Sequence, residues 1–207
     1  MDIEYYGANC VSIKTKAINI VVDPTSNTSV KKSNSAENVI LSTMGEMRNV
    51  QQDDFLIDMP GEYEHNDVSV KGIPVHRHTD EGGQNGTMYR ISLDGIRIAI
   101  IGHTDAPIDD DDLEELGIID IVIIPIGGGG YTLDARDAVT IVRQISPTIV
   151  IPTHYDDGKT QYEVPQEKID QFIKDMGGQH EKVTALKLKT ASNLPEALTV
   201  FELARSN

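Results

Sequence analysis

The sequence predicts an α/β fold with two β-sheets. Two observations carry this. The first half is a run of short β patterns closed by turn signals, and the second half alternates amphipathic helices with continuous apolar strands. No Pro/Ser-rich linker divides the 207 residues, so a single domain over 1–207 is expected.

The elements follow in order. DIEYYGANCVSIKT and AINIVVDPTS are two extended runs around a short KTK turn, a hairpin ending at Asp23-Pro24. NTSVKKSNSAEN is polar and reads as a loop. NVILST is a short buried strand. DFLIDMPGEYEHNDVSVKGIPVHRH reads as further short strands interrupted at Pro-Gly and Lys-Gly, and TMYRISLDGIRIAIIGHTD as two strands around an Asp-Gly turn.

Residues 105–120, DAPIDDDDLEELGIID, hold eight acids and no base. They suit an acid-rich helix start, favoured by the helix dipole, with Gly117 closing the helix. The run lacks the alternating ligands and the glycine of a calcium loop. IIDIVIIPIGG is apolar throughout, as a strand covered on both faces should be. In GYTLDARDAVTIVRQISP an Asp-led signal opens a helix whose Ala138, Ile141, Val142 and Ile145 share one face. TIVIPTH is the next buried strand. VPQEKIDQFIKDMGG predicts a helix with Pro165 near its start, and VTALKLKT and ALTVFEL predict closing strands.

Composition narrows the function classes. A net charge of −15 opposes nucleic-acid binding, which needs a basic footprint, and opposes an anionic membrane surface. No stretch approaches the roughly 18 apolar residues of a membrane helix. The N-terminus lacks the basic and apolar regions of a secretory signal. Cys10 is the only cysteine, so neither an intrachain disulfide nor a cysteine zinc knuckle is available, and a cytoplasmic setting is expected. No GxSxG elbow supports a serine hydrolase.

Three strand ends carry histidine: VHRHTD holds His76 and His78, AIIGH ends in His103, and VIPTH ends in His154. Ligand sites gather at the carboxyl ends of α/β strands, and imidazole is the common ligand of zinc. Three such histidines could close a single-metal site; equally, each could cap a strand or bond to backbone. The loop IPIGGGGYTLDARDA has two readings as well. Gly127 to Gly130 can bare backbone N–H groups to a phosphate, with Arg48 and Arg77 assisting, or can let the chain turn tightly. The ligand-binding expectation falls on Gly128, Gly129 and Tyr131.

Read as a set, IEYYGANCVSIKT, INIVVDP, VILST, PVHRH, YRISLDGIRIAIIGHTD and GGGGYTLDARDA…SPTIVIPTHYDD resemble the metallo-β-lactamase fold superfamily over residues 2–157. The similarity is to its compact branch of ascorbate-phosphate lactonase-like and other predicted zinc-dependent hydrolases. The resemblance implies an αββα sandwich of two mixed β-sheets flanked by helices, and two metal ions. It implies ligands from an HxHxDH loop, a later histidine, a bridging aspartate and a last histidine. His154 matches the last histidine. His78 matches the later one, with His76 as the alternative. The HxHxDH positions hold Thr43, Gly45, Met47 and Arg48, and the bridging position holds His103. None of those four is a usual ligand, and Arg48 brings a positive charge to the place of a cation. The early Gly-His pair is Gly7-Ala8. The chain also resembles a small group of proteins with this fold that carry PGEYE and GYTLDA segments without the HxHxDH loop.

Two functions compete. The first is a protein of this fold that has lost most dinuclear ligands and is non-catalytic, binding a small molecule or a protein partner in the old cleft, with a homo-oligomer as one form of it. The second is a mononuclear hydrolase holding one zinc or other divalent metal on His78, His103 and His154, with Asp105 or Asp156 as base.

Overall fold

The structure is a computed structural model that describes residues 1–25, 37–45, 54–77, 82 and 84–206. The NTSVKKSNSAEN loop falls almost wholly outside them, as do Met47, Arg48 and His78.

The first sheet is built by β1 (Asp2–Gly7), β2 (Cys10–Lys14), β3 (Ile18–Val22), β4 (Glu37–Leu41) and β5 (Phe55–Ile57). The expected first run thus breaks into two strands. Ala8 takes a positive φ of 49°, which ends β1 and turns the chain into β2. β1, β2 and β3 pair antiparallel, while β4 and β5 add in parallel.

The second sheet opens with β6 (Gly61–His65), β7 (Val68–Val75), β8 (Gly86–Leu93) and β9 (Ile96–Ile100), an antiparallel meander. β7 runs through Lys71-Gly72 without the expected interruption. It pairs on both sides there, Gly72 with Gly61 and with Tyr89, so its backbone groups are met throughout. The Asp-Gly turn is present, with positive φ at both Asp94 and Gly95, as the twist of a tight hairpin requires.

α1 (Asp110–Leu116) puts Asp110, Asp111 and Asp112 in its first turn and closes at Gly117. The acid run is therefore a helix start, as expected. β10 (Ile121–Pro125) and β11 (Ile149–Thr153) are buried at every position. Between them α2 (Ala135–Ile145) buries Ala138, Val139, Ile141 and Val142. The Asp134 carboxylate accepts the backbone N–H groups of Arg136 and Asp137 and so caps this helix.

Two expectations in the last quarter need correction. α3 spans Ile169–Met176 and does not begin at Pro165. The backbone before it is engaged elsewhere: Glu167 N–H donates to Gly127 O (2.8 Å) and Asp156 N–H to Glu167 O (2.9 Å). The second correction is β12 (Gln179–Val183), an edge strand that QHEKV does not announce because it has almost no apolar pattern. β13 (Leu186–Lys187) returns to the first sheet, and β14 (Thr199–Leu203) lies between β11 and β12.

The sheets order as β13-β1-β2-β3-β4-β5 and β12-β14-β11-β10-β9-β8-β7-β6. One continuous apolar cluster joins them, drawing Ile13, Ile20 and Leu41 from the first sheet and Ile91, Ile123 and Ile151 from the second. At about 1.5–3 kcal/mol for each fully buried aliphatic side chain, this layer is the main source of stability. No helix among the described residues is long and apolar enough to cross a membrane.

Candidate functional site

β9, β10 and β11 lie side by side and parallel, Ile121 pairing with both Ile98 and Ile149. The chain leaving each strand therefore emerges on the same edge of the sheet. His103 follows β9 and His154 follows β11. Their rings meet edge-on, with centroids 5.3 Å apart at 84°. Both are buried, His103 7% exposed and His154 6%. Tyr131, from the loop after β10, sets its ring 5.6 Å from His103. Tyr162 lies 4.9 Å from His154.

Each imidazole is held from behind. His103 Nδ1 is 3.2 Å from Asn9 Nδ2, and Asn9 Oδ1 accepts the Thr153 hydroxyl at 3.1 Å. His154 Nδ1 is 3.0 Å from Gln166 Oε1. The His154 backbone N–H donates to Ala8 O (2.8 Å), which ties β11 to the turn between β1 and β2. His154 itself sits at φ 50°, an unusual conformation for a residue with a side chain. Burial lowers the pKa of its imidazole, against the opposing pull of the Gln166 bond.

Gly127 makes this arrangement possible. A Cβ there would lie 2.0 Å from His154 O and 2.4 Å from Gln166 Oε1, so only hydrogen fits.

The positions matching the HxHxDH loop are occupied differently. Thr43 is fully buried. Its N–H donates to Asp23 Oδ1 (2.8 Å) and its hydroxyl to Asp23 Oδ2 (2.6 Å). Burial pushes the Asp23 carboxyl up to about 6, despite these two bonds that favour the charged form. The Thr43 hydroxyl is thus committed to a neighbour and Gly45 has no side chain. Neither of these two described positions offers a usual metal ligand. Among the described residues no group of three His, Cys, Asp or Glu is placed to hold a metal ion. His78 lies outside those residues. His76 is exposed, and its carbonyl accepts the Asp105 N–H at 2.9 Å. The Asp156 carboxylate accepts the Gly158 N–H at 2.9 Å, within its own loop.

The glycine loop bonds within itself through Gly128. Gly128 N–H donates to Leu133 O (2.9 Å), and the Tyr131 and Thr132 N–H groups reach Gly128 O, both at 3.4 Å. The first free N–H groups of α2 go to Asp134. Gly129 packs against the backbone of Pro165, whose oxygen would be 2.8 Å from a Cβ at that position.

Asn9, Gln166 and Tyr162 were not legible as site residues. An amide in a turn, an amide after a proline and a lone tyrosine carry no metal-ligand or catalytic spacing. Only the paired sheets bring them to the histidines.

Two mixed sheets face to face, helices outside, and histidines beyond the carboxyl ends of two parallel strands that flank β10 define the metallo-β-lactamase fold. Residues 2–154 match the family described as "Beta-lactamase superfamily domain", and the chain belongs to that family. A metal-dependent hydrolase of Pyrococcus furiosus is 31% identical over 125 residues, covering 58% of this chain and 53% of that protein. A metal-dependent hydrolase of Lysinibacillus sphaericus is 26% identical over 196 residues, 75% of this chain and 86% of that protein. The chain spans about half the length of the archaeal relatives it matches. A Thermotoga maritima protein, described as a candidate zinc-dependent hydrolase of the metallo-β-lactamase superfamily, shares the fold. It has a TM-score of 0.75 at 23% identity, over 98% of this chain and 99% of that one.

Proposed function

We propose that this chain has the fold of metal-dependent hydrolases but binds a small molecule or a protein partner in the old cleft without two-metal hydrolysis. The observation that supports this most is Thr43. It stands at the first HxHxDH position, is fully buried, and gives both its N–H and its hydroxyl to Asp23. The Tyr131 ring lies against His103, and the proposed ligand would rest on Tyr131 with Gly128 and Gly129 beside it. A ligand there would meet aromatic faces and imidazole edges, a surface suited to stacking and a few directed hydrogen bonds.

Elemental analysis of the purified protein tests this reading. The expected result is far less than one metal per chain, with no rise in melting temperature on adding zinc, since a ligand of the native state must stabilise it. About one zinc, iron or manganese per chain, lost in His154→Ala, overturns it.

That outcome would favour the second reading, a mononuclear hydrolase on His78, His103 and His154. The contact between the His103 and His154 rings at 5.3 Å supports it. A divalent cation bound there would lower the pKa of its water to about 7 and supply a hydroxide.

A further inference from the structure

The turn between β1 and β2 reaches both histidines. Ala8 O holds the His154 backbone, and the Asn9 amide faces His103 Nδ1. Asn9 is itself buried at 6% exposure and Thr153 at 1%. The direction of the Asn9 amide decides which nitrogen of His103 carries the proton.

Two directions can be compared. In the first, Asn9 Oδ1 accepts the Thr153 hydroxyl and Nδ2–H donates to His103 Nδ1. In the second the amide is turned over, Nδ2–H points at Thr153, and Oδ1 must accept a proton from His103 Nδ1. Among the described residues the Thr153 hydroxyl makes no other hydrogen bond than the one to Asn9 Oδ1. Turning the amide over would leave that buried hydroxyl proton without an acceptor, the expensive outcome for a buried polar group. The first direction gives both the Thr153 hydroxyl proton and the His103 Nδ1 lone pair a partner.

His154 is fixed in the opposite sense. Gln166 Nε2 donates to Val164 O (3.0 Å) and leans toward Pro165 O (3.4 Å), so its Oε1 is the atom that faces His154 Nδ1. A carbonyl-type oxygen only accepts, so His154 carries its proton on Nδ1 and has its lone pair on Nε2.

We infer that Asn9 is a positioning residue that holds His103 as its Nε2–H tautomer, so that the two facing imidazoles form a donor and an acceptor, not a pair of metal ligands. The inference deepens the metal-free reading above and rests on it for its functional meaning. A metal-ligating histidine usually donates its second ring N–H to an oxygen behind it. His154 has that arrangement with Gln166; His103 has the reverse, an N–H donor behind it. Asn9 therefore blocks coordination by His103 through either nitrogen unless the amide turns.

The test is long-range ¹H–¹⁵N NMR of the full chain labelled on histidine nitrogen, without added metal and at slightly alkaline pH. The expected spectrum shows His103 unprotonated at Nδ1 and protonated at Nε2, and His154 the other way round. Wild-type His103 with its proton on Nδ1 overturns the inference, and this needs no variant to fold. Asn9→Asp replaces the donor by an acceptor of the same shape. It should move a proton onto His103 Nδ1 and raise zinc affinity about 10- to 100-fold, the usual reach of such supporting contacts. An Asn9→Asp protein whose His103 Nδ1 stays unprotonated also overturns the inference. Tight zinc binding by the wild-type chain would instead sink the metal-free reading, while the metal-free spectrum still decides the tautomer.

Discussion

Thr43 lies directly against Gly102. A Cβ built on Gly102 would sit 2.5 Å from Thr43 Cβ and 2.8 Å from its Oγ1, and Gly102 has φ +63°. The first ligand position and the residue before the bridging position thus touch, with no room for a larger side chain at either. Gly102→Ala should destabilise the fold by about 2–4 kcal/mol, combining a left-handed backbone penalty with overpacking. Thr43→His, which rewrites the family's first ligand, should also destabilise, because it breaks both bonds to Asp23 and crowds Gly102. It should not add a zinc site. Urea denaturation and metal content of the two variants check these outcomes.

Asp23 makes stability fall as pH rises. Its folded-state pKa of about 6 is above the ordinary carboxylate value of 3.8, so the folded protein holds a proton that the unfolded chain has released. The contribution is fully present below pH ~4 and is lost as pH rises through about 6, at a total of roughly 3 kcal/mol. Lowering the pH also relieves repulsion in a chain of net charge −15, so the difference from Asp23→Asn is the useful quantity. The wild type should gain stability over Asp23→Asn between pH 7 and pH 5. Equal slopes for both proteins in thermal melts would remove Asp23 as the source.

His154 works in the other direction. Burial depresses its pKa below 6.5, so the folded state resists a proton that the unfolded chain accepts. Its contribution is present above pH ~6.5 and is lost as pH falls toward the folded-state pKa. An NMR titration should therefore place the His154 midpoint below 6.5, and the ring should keep its Nδ1 proton on Gln166 at neutral pH. A midpoint above the ordinary value would show that a negative group, not burial, governs this imidazole.

The Asp134 carboxylate closes the N-terminus of α2 by accepting from Arg136 N–H (2.8 Å) and Asp137 N–H (2.9 Å). Asp134→Ala should cost about 0.5–2 kcal/mol, the usual range for an N-cap. Asp134→Asn should recover most of it, since an amide oxygen caps nearly as well. Chemical denaturation of the two variants separates a capping role from a purely electrostatic one.

How far the sequence carried depended on what each residue touches. The two-sheet α/β arrangement, the buried strands β10 and β11, and the cap and inner face of α2 are encoded in local periodicity, so they could be read directly. His103 and His154 were visible because strand-end histidines have a recognised chemistry. Their contact with each other was not, because it depends on the parallel register that sets β9 and β11 on either side of β10. Asn9 and Gln166 act across 94 and 12 residues of chain respectively, through single hydrogen bonds. β12 and the late start of α3 were missed for a related reason. An exposed edge strand needs no apolar pattern, and the segment before α3 is held extended by Gly127 and Asp156 from outside it.

Gly127 offers the sharpest test of how the site is held. Its missing side chain allows His154 O to approach where a Cβ would be 2.0 Å away, and the same Cβ would strike Gln166 Oε1 at 2.4 Å. The first contact is with backbone, which cannot swing aside, and Gly127 O also anchors Glu167 N–H at 2.8 Å. Gly127→Ala must therefore push the β10 loop away from β11 or displace His154. A loss above about 4 kcal/mol is expected, the range reserved for changes that a fold cannot absorb. Where the variant still folds, the Gln166 bond should be broken, and the His154 Nδ1–H signal should exchange with water far faster than in the wild type. A near-neutral Gly127→Ala with an unchanged His154 spectrum would mean that the loop has slack, and that His154 is held by Gln166 and Ala8 alone.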